Sequence, residues 1–171
     1  MHTTPDIIQL HDLLSYLYQE DIHNVVLESS SHGLKQGRLS GIPILAGGFT
    51  NLTRDHLDYH ATFDDYFNAK CILFESVIGN QGGAVISIDT PYGRKMCNIA
   101  TKSQQTVFTV GKTEKADFQI LGQNFNEKGQ TLNFSFKTSL KLVELELIGA
   151  FQAENILIAA GLTILSGEDP E

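Results

Sequence analysis

Cations are scarce in this 171-residue chain: 12 Lys and Arg stand against 20 Asp and Glu, for a net charge of −8. That balance excludes the basic stripe that a nucleic-acid binder needs. It does not exclude a nucleotide enzyme, because a metal ion, one arginine and backbone amides can meet phosphates locally. Cysteine is also rare. Cys71 and Cys97 have no CxxC spacing, so neither a zinc site nor a disulfide framework follows, and a reducing cytoplasm is the default compartment. No apolar run approaches the roughly 20 residues that span a bilayer. The N-terminus lacks the charged and apolar regions of a signal peptide. The phosphate-binding pattern G-x-x-x-x-G-K-[ST] is missing too. Gly33-Leu34-Lys35-Gln36-Gly37 lacks both the loop length and the following Lys-Ser/Thr.

What is present can fold. A hydrophobic fraction of 42% fills a core and excludes disorder, and the length suits one domain or part of a larger one. Thr4-Pro5-Asp6 opens a helix, with Thr4 as its cap, and Ile7, Leu10, Leu13, Leu14 and Leu17 recur at helical spacing to about Glu20. Asn24 to Glu28 reads as a buried strand ending in an acid. Pro43 to Ala46, with Phe49, suggests another strand, broken by Gly47 and Gly48. Asp64 to Val77 reads as a second helix, and Gly83 to Asp89 as a strand. Alternation of this kind predicts a parallel sheet with ligands beyond the carboxyl ends of its strands. After Gly111 the period changes to 2. Phe118–Leu121, Thr131–Phe136 and Leu142–Leu147 read as antiparallel strands, with a hairpin turn at Asn126-Glu127-Lys128-Gly129 and a closing helix from Ala153 to Leu165. The start on a helix cap and the polar stop at Ser166–Glu171 are those expected of a cut through a longer protein.

Two clusters carry chemistry. Glu28-Ser29-Ser30-Ser31-His32 puts an acid and hydroxyls at the end of an apolar run. Thr50-Asn51-Leu52-Thr53-Arg54-Asp55-His56-Leu57-Asp58-Tyr59-His60, followed by Tyr66-Phe67-Asn68-Ala69-Lys70, puts two acids, two imidazoles and an amine in one segment. Such a set can hold a hard cation beside phosphates. Position alone reads several of these residues differently: Glu28 as a helix-capping carboxylate, Asp55 and Asp58 as turn and cap residues, and Lys70 as a snorkelling surface lysine. Gln36 and Arg38 offer an amide and a guanidinium suited to carboxylate or phosphate.

In this order the two clusters resemble the central domain of the Mur ligases, ATP-dependent enzymes that build the peptide of bacterial cell-wall precursors. The likeness is closest to the tripeptide-synthetase (MurE) type. It is strong over residues 24–74, moderate at 1–10 and 149–160, and weak through 95–148. The fold it implies is α/β: a mostly parallel sheet flanked by helices, P-loop-NTPase-like, with a small antiparallel sheet. It casts residues 1–171 as the central ATP-binding domain, with the P-loop strand and a UDP-binding domain upstream and an amino-acid-selecting domain downstream. The implied reaction adds a diamino acid to UDP-N-acetylmuramoyl-L-alanyl-D-glutamate through an acyl phosphate formed from ATP. The partners are thus that UDP-muramoyl dipeptide and a diamino acid, with no nucleic acid and no membrane. Another Mur ligase, an amide ligase of the folate or cyanophycin type, or a non-catalytic remnant that binds a UDP-sugar or a partner protein, are the rival readings.

The resemblance also implies roles. Glu28, His56 and Lys70 would be catalytic and hold Mg2+, with Lys70 converted to a carbamate (N6-carboxylysine). Thr3, Thr4, Ser30, Gln36 and Arg38 would bind the UDP-muramoyl peptide, and His60 would approach it. Asn155 would touch the adenine of ATP, beside Gln152, which replaces the family's first asparagine there. Asp89 receives only a structural role.

Overall fold

The computed structural model describes residues 4–52 and 60–168. Two layers of helices cover a single six-stranded sheet of order β1-β2-β3-β4-β5-β6. Strands β1 (Ile44–Phe49), β2 (Ile78–Ser87), β3 (Thr106–Gly111) and β4 (Phe118–Asn126) run parallel. Strands β5 (Gly129–Phe136) and β6 (Ser139–Leu145) continue the same sheet antiparallel. The antiparallel part is therefore an extension of the parallel part. The junction is short: β3 meets β4 only at Val110↔Phe118 and Gly111↔Gln119.

Strand β2 explains the layering. Ala84, Val85 and Ile86 are fully buried, yet successive side chains point to opposite faces. Ala84 and Ile86 join a core with Leu10 of α1 (Ile7–Gln19), Phe67 and Cys71 of α3 (Phe63–Ile72), and Met96 and Ala100 of α4 (Pro91–Lys102). Val85 joins the opposite core, with Leu157 and Ile158 of α5 (Gln152–Leu165) and Phe118, Leu132 and Phe136 of the antiparallel region. A strand apolar on both faces needs a helical layer on each.

Several expectations are corrected. Residues 24–28 form no strand: the segment makes no strand pairing, and Val26 is 96% exposed. A buried parallel strand needs hydrogen-bonded neighbours, and β1, at the sheet edge, pairs with β2 alone. Gly47 and Gly48 do not break β1 but let both layers approach it. A Cβ on Gly47 would lie 3.1 Å from Leu73 on one side, and one on Gly48 2.9 Å from Ile158 of α5 on the other. The cap of α1 is Asp6, whose carboxylate accepts from the amides of Ile8 and Gln9, not Thr4. The second helix ends as α helix at Ile72 and continues as one π turn, Leu73–Val77. Buried Gln105 donates from its side-chain amide to the carbonyls of Phe74 and Ile78 at that turn. Helix α4 and strand β3 occupy a stretch to which the pattern reading assigns no element. Their signal is the Thr90-Pro91 start, where Thr90 Oγ1 accepts from Gly93 N, and the β-branched run Thr106–Val110.

The short helix α2 (Ser31–Lys35) is fastened to α3 by a polar chain. Ser31 Oγ lies 2.8 Å from His60 Nε2, and His60 Nδ1 lies 3.2 Å from Asp65 Oδ2. Lys35 Nζ donates to both oxygens of Asp65, at 3.1 and 3.2 Å. The carboxylate accepts from Nδ1–H, and Nε2 shares a hydrogen bond with the Ser31 hydroxyl. Hydrogen bonds from Lys35, and then from His60, hold the Asp65 carboxyl below its ordinary range.

A Cβ on Gly93 would meet the backbone oxygen of Ser87 at 1.8 Å, so α4 or β2 must shift. Gly93→Ala should cost about 2–4 kcal/mol in denaturant unfolding. Gly122→Ala, which meets nothing within 4 Å, should stay within about 0.5 kcal/mol. For Asp65, a depressed native pKa means stability that is present above the ordinary carboxylate range and lost as pH falls through the native value. Asp65→Asn should therefore flatten the acid limb of stability against pH below about pH 4. An unchanged acid limb would remove Asp65 from the account.

Candidate functional site

The turn that follows the unpaired extended segment lies against α3. Lys70 Nζ donates to the Ser29 carbonyl at 2.9 Å, tying the second turn of α3 to this corner. Burial lowers the proton affinity of the Lys70 amine, and the negative charge of Glu28 opposes that shift. The sequence-predicted pair Glu28 and Lys70 thus comes together across 42 positions of chain, with Glu28 exposed and Lys70 half-buried. Ser29 Oγ, in the same turn, is buried without a hydrogen-bond partner among the described residues. His56 lies outside the described residues, as do Thr3, Asp55 and Asp58. Among the described residues, no three His, Cys, Asp or Glu side chains converge on one point.

The predicted substrate residues Thr4, Ser30, Gln36 and Arg38 form one linked cluster. Thr4 is 0% exposed. Its hydroxyl donates to the Glu28 carbonyl at 2.9 Å, lies 3.0 Å from Ser30 Oγ, and accepts from the Ser30 amide at 2.9 Å. Ser30 Oγ also caps α2 by accepting from Gly33 N. The Arg38 guanidinium donates to the Thr4 carbonyl, and through Nε and Nη2 to Gln36 Oε1 at 2.9 and 2.6 Å. Thr4 and Ser30 therefore build the corner from inside, while Gln36 is exposed and Arg38 half-exposed, within reach of a ligand. His60 does not fit the expectation of a substrate contact. It is 1% exposed, stacks on Tyr66 at 5.1 Å, and has both ring nitrogens engaged within the fold.

Asn155 sits apart from this cluster, exposed on the first turn of α5, on the other face of the sheet. Its amide donates to Gln152 Oε1 at 3.3 Å, so the two residues expected near adenine are neighbours. Ser87, at the end of β2, donates to Glu154 Oε2 at 2.9 Å and anchors the same turn. Asp89 accepts from the Lys112 amide through both oxygens, at 3.0 and 3.1 Å, joining the ends of β2 and β3. This is a structural task, as its sequence context implies. Pattern reading gave no role to Asp65, Lys35, Ser87 or Glu154. Their partners lie 5 to 67 residues away in sequence, and no local spacing announces them.

Comparison with known proteins gives this geometry a context. The family model for the Mur ligase middle domain matches residues 1–163. The UDP-N-acetylmuramoyl-L-alanyl-D-glutamate–2,6-diaminopimelate ligase of Brucella melitensis is 40% identical over 166 residues, 96% of this chain and 34% of that protein. The same-named ligase of Zymomonas mobilis is 37% identical over 167 residues, covering 98% and 34%. A solved structure of a ligase with that name superposes with a TM-score of 0.89 at 34% identity, covering 99% of this chain and 35% of its own. MurF of Thermotoga maritima in complex with ADP shares the fold, with a TM-score of 0.64 at 21% identity over 75% of this chain and 29% of its own. The chain thus spans about a third of the length of the curated relatives it matches. No helix among the described residues is long and apolar enough to cross a membrane. The chain belongs to the Mur ligase middle-domain family.

Proposed function

We propose that this chain is the ATP-binding middle part of a ligase that joins a diamino acid to UDP-N-acetylmuramoyl-L-alanyl-D-glutamate at the expense of ATP. The relatives' names carry 2,6-diaminopimelate, and we take that as the diamino acid. A phosphate-binding loop, which the sequence lacks, would come from elsewhere in the ligase. The observation that carries the reading is the Lys70 amine, half-buried against the Ser29 carbonyl beside Glu28 and with its proton affinity lowered.

A metal site at this corner would use Glu28 and Lys70; His56, outside the described residues, is the third ligand that the family resemblance assigns. As encoded, the donors are one carboxylate and an amine that cannot ligate while protonated. The residues fit magnesium once that amine is modified. A lowered proton affinity favours neutral Lys70, whose nitrogen attacks carbon dioxide. A C–N bond would form as one C=O π pair of carbon dioxide moves onto oxygen, one N–H proton would leave to water, and the resulting carbamate would carry oxygen donors suited to a hard cation. The unpartnered Ser29 hydroxyl adds a polar group to the same corner. When bound, magnesium would neutralise phosphate charge during transfer. Arg38 would pair a carboxylate or phosphate of the UDP-muramoyl peptide, its fork oriented by Gln36 Oε1 and the Thr4 carbonyl; Thr3, Thr4 and Ser30 are the further residues assigned to that substrate, Thr4 and Ser30 acting by holding this corner. Asn155 and Gln152 would meet the adenine from α5.

The test is phosphate release by the full-length ligase with ATP, magnesium and the UDP-muramoyl dipeptide, adding diaminopimelate, lysine or ornithine in turn. Release that requires the dipeptide and diaminopimelate is expected. Lys70→Ala should lower it by at least about a hundredfold, with partial rescue by short carboxylic acids. Unimpaired turnover in that variant would sink the Lys70 assignment. Absence of release with every amine would sink the ligase reading.

A further inference from the structure

Gln130 is the second residue of β5, in the antiparallel region, and is only 1% exposed. A buried glutamine amide needs partners for two donors and an acceptor. Gln130 Nε2 donates to the carbonyls of Leu147 at 3.1 Å and Gly149 at 3.0 Å. Its Oε1 accepts from Gln123 Nε2 at 2.7 Å, and Gln123 Nε2 also donates to the Ala150 carbonyl at 2.9 Å. Two glutamines of the antiparallel strands thus take three carbonyls of the link between β6 and α5.

That link has little else to define it. Residues 146–148 have no regular structure, and Gly149 sits at φ +114, a conformation that side-chain-bearing residues rarely adopt. The N-cap position of α5 is Phe151, which gives no side-chain cap. The first amide of the helix, Gln152 N, donates instead to the Gly149 carbonyl at 3.1 Å. That same oxygen is held by Gln130. One carbonyl therefore connects the sheet amide to the start of the helix that displays Gln152 and Asn155.

We propose that Gln130, seconded by Gln123, is a positioning residue for the nucleotide: it sets the first turn of α5 so that Asn155 and Gln152 face the adenine. The inference rests on the assignment of Asn155 to adenine. An apolar side chain of the same size at 130 would leave the Leu147 and Gly149 carbonyls without these donors, and the turn would lose its fixed geometry.

The experiment measures ATP and UDP-muramoyl-dipeptide affinity by calorimetry in the full-length ligase and its Gln130→Met, Asn155→Ala and double variants. Gln130→Met should weaken ATP by about tenfold or more and leave dipeptide affinity within about twofold. In the Asn155→Ala background Gln130→Met should add little, because it acts through the same turn. Equal losses for both ligands, full additivity, or unchanged ATP affinity in a folded Gln130→Met protein would each overturn the inference. If Asn155→Ala leaves ATP affinity intact, the adenine assignment fails and takes the inference with it. If Asn155→Ala weakens ATP and Gln130→Met does not, only the role of Gln130 falls. Should Gln130→Met not fold, Gln123→Met is judged by the same criteria.

Discussion

Strand β2 must be apolar on both faces, and most of the architecture is a response to that demand. Ala84 and Ile86 require one helical layer, and Val85 requires another. Once both layers are in place, the carboxyl ends of the strands are the natural opening where polar groups can gather. Ser87 and Asp89 mark the end of β2, and each binds a different neighbour, Glu154 of α5 and the Lys112 amide after β3. The site is thus set out by a hydrophobic constraint before any of its chemistry is specified.

The polar groups then divide into builders and presenters. Thr4, Ser30, Ser31 and His60 bond inward and fix the corner between α2 and α3. Glu28, Gln36, Arg38 and Asn155 retain exposed surface and present charge or amide outward. Lys70 belongs to both groups, tied to the Ser29 carbonyl yet held where its ammonium is disfavoured. Glutamine serves as a backbone clamp in two places. Gln105 takes carbonyls at the π turn and Gln130 takes them before α5, both where regular hydrogen bonding is interrupted.

Elements with a strong local period were legible in the sequence: α1, the core of β2, the strands after Gly111, and α5. The family resemblance grouped Glu28 with Lys70, and Ser30 with Gln36 and Arg38, and the fold brings the members of each group near one another in space. What local pattern could not supply is partnership. The apolar run Asn24–Glu28 has the composition of a strand, but strandedness depends on neighbours, and the sheet gives it none. Thr4 looks like a cap, and Asp6 outcompetes it because a carboxylate two residues on reaches two amides. His60 looks like a surface ligand until the fold brings Ser31 and Asp65 to its two nitrogens.

The two-position ladder between β3 and β4 has a consequence for cooperativity. Backbone pairing alone would leave the parallel and antiparallel regions as separable folding units, since the seam is so short. Two other features bridge it: Phe118 and Phe136, stacked at 4.1 Å with Phe108 edge-on, and α5, whose buried face packs beneath strands from both sides. Helix α5 is thus a splint across the seam. Loss of its buried face at Leu157 and Ile158, rather than of its first turn, would weaken the mechanical link between the two halves of the sheet.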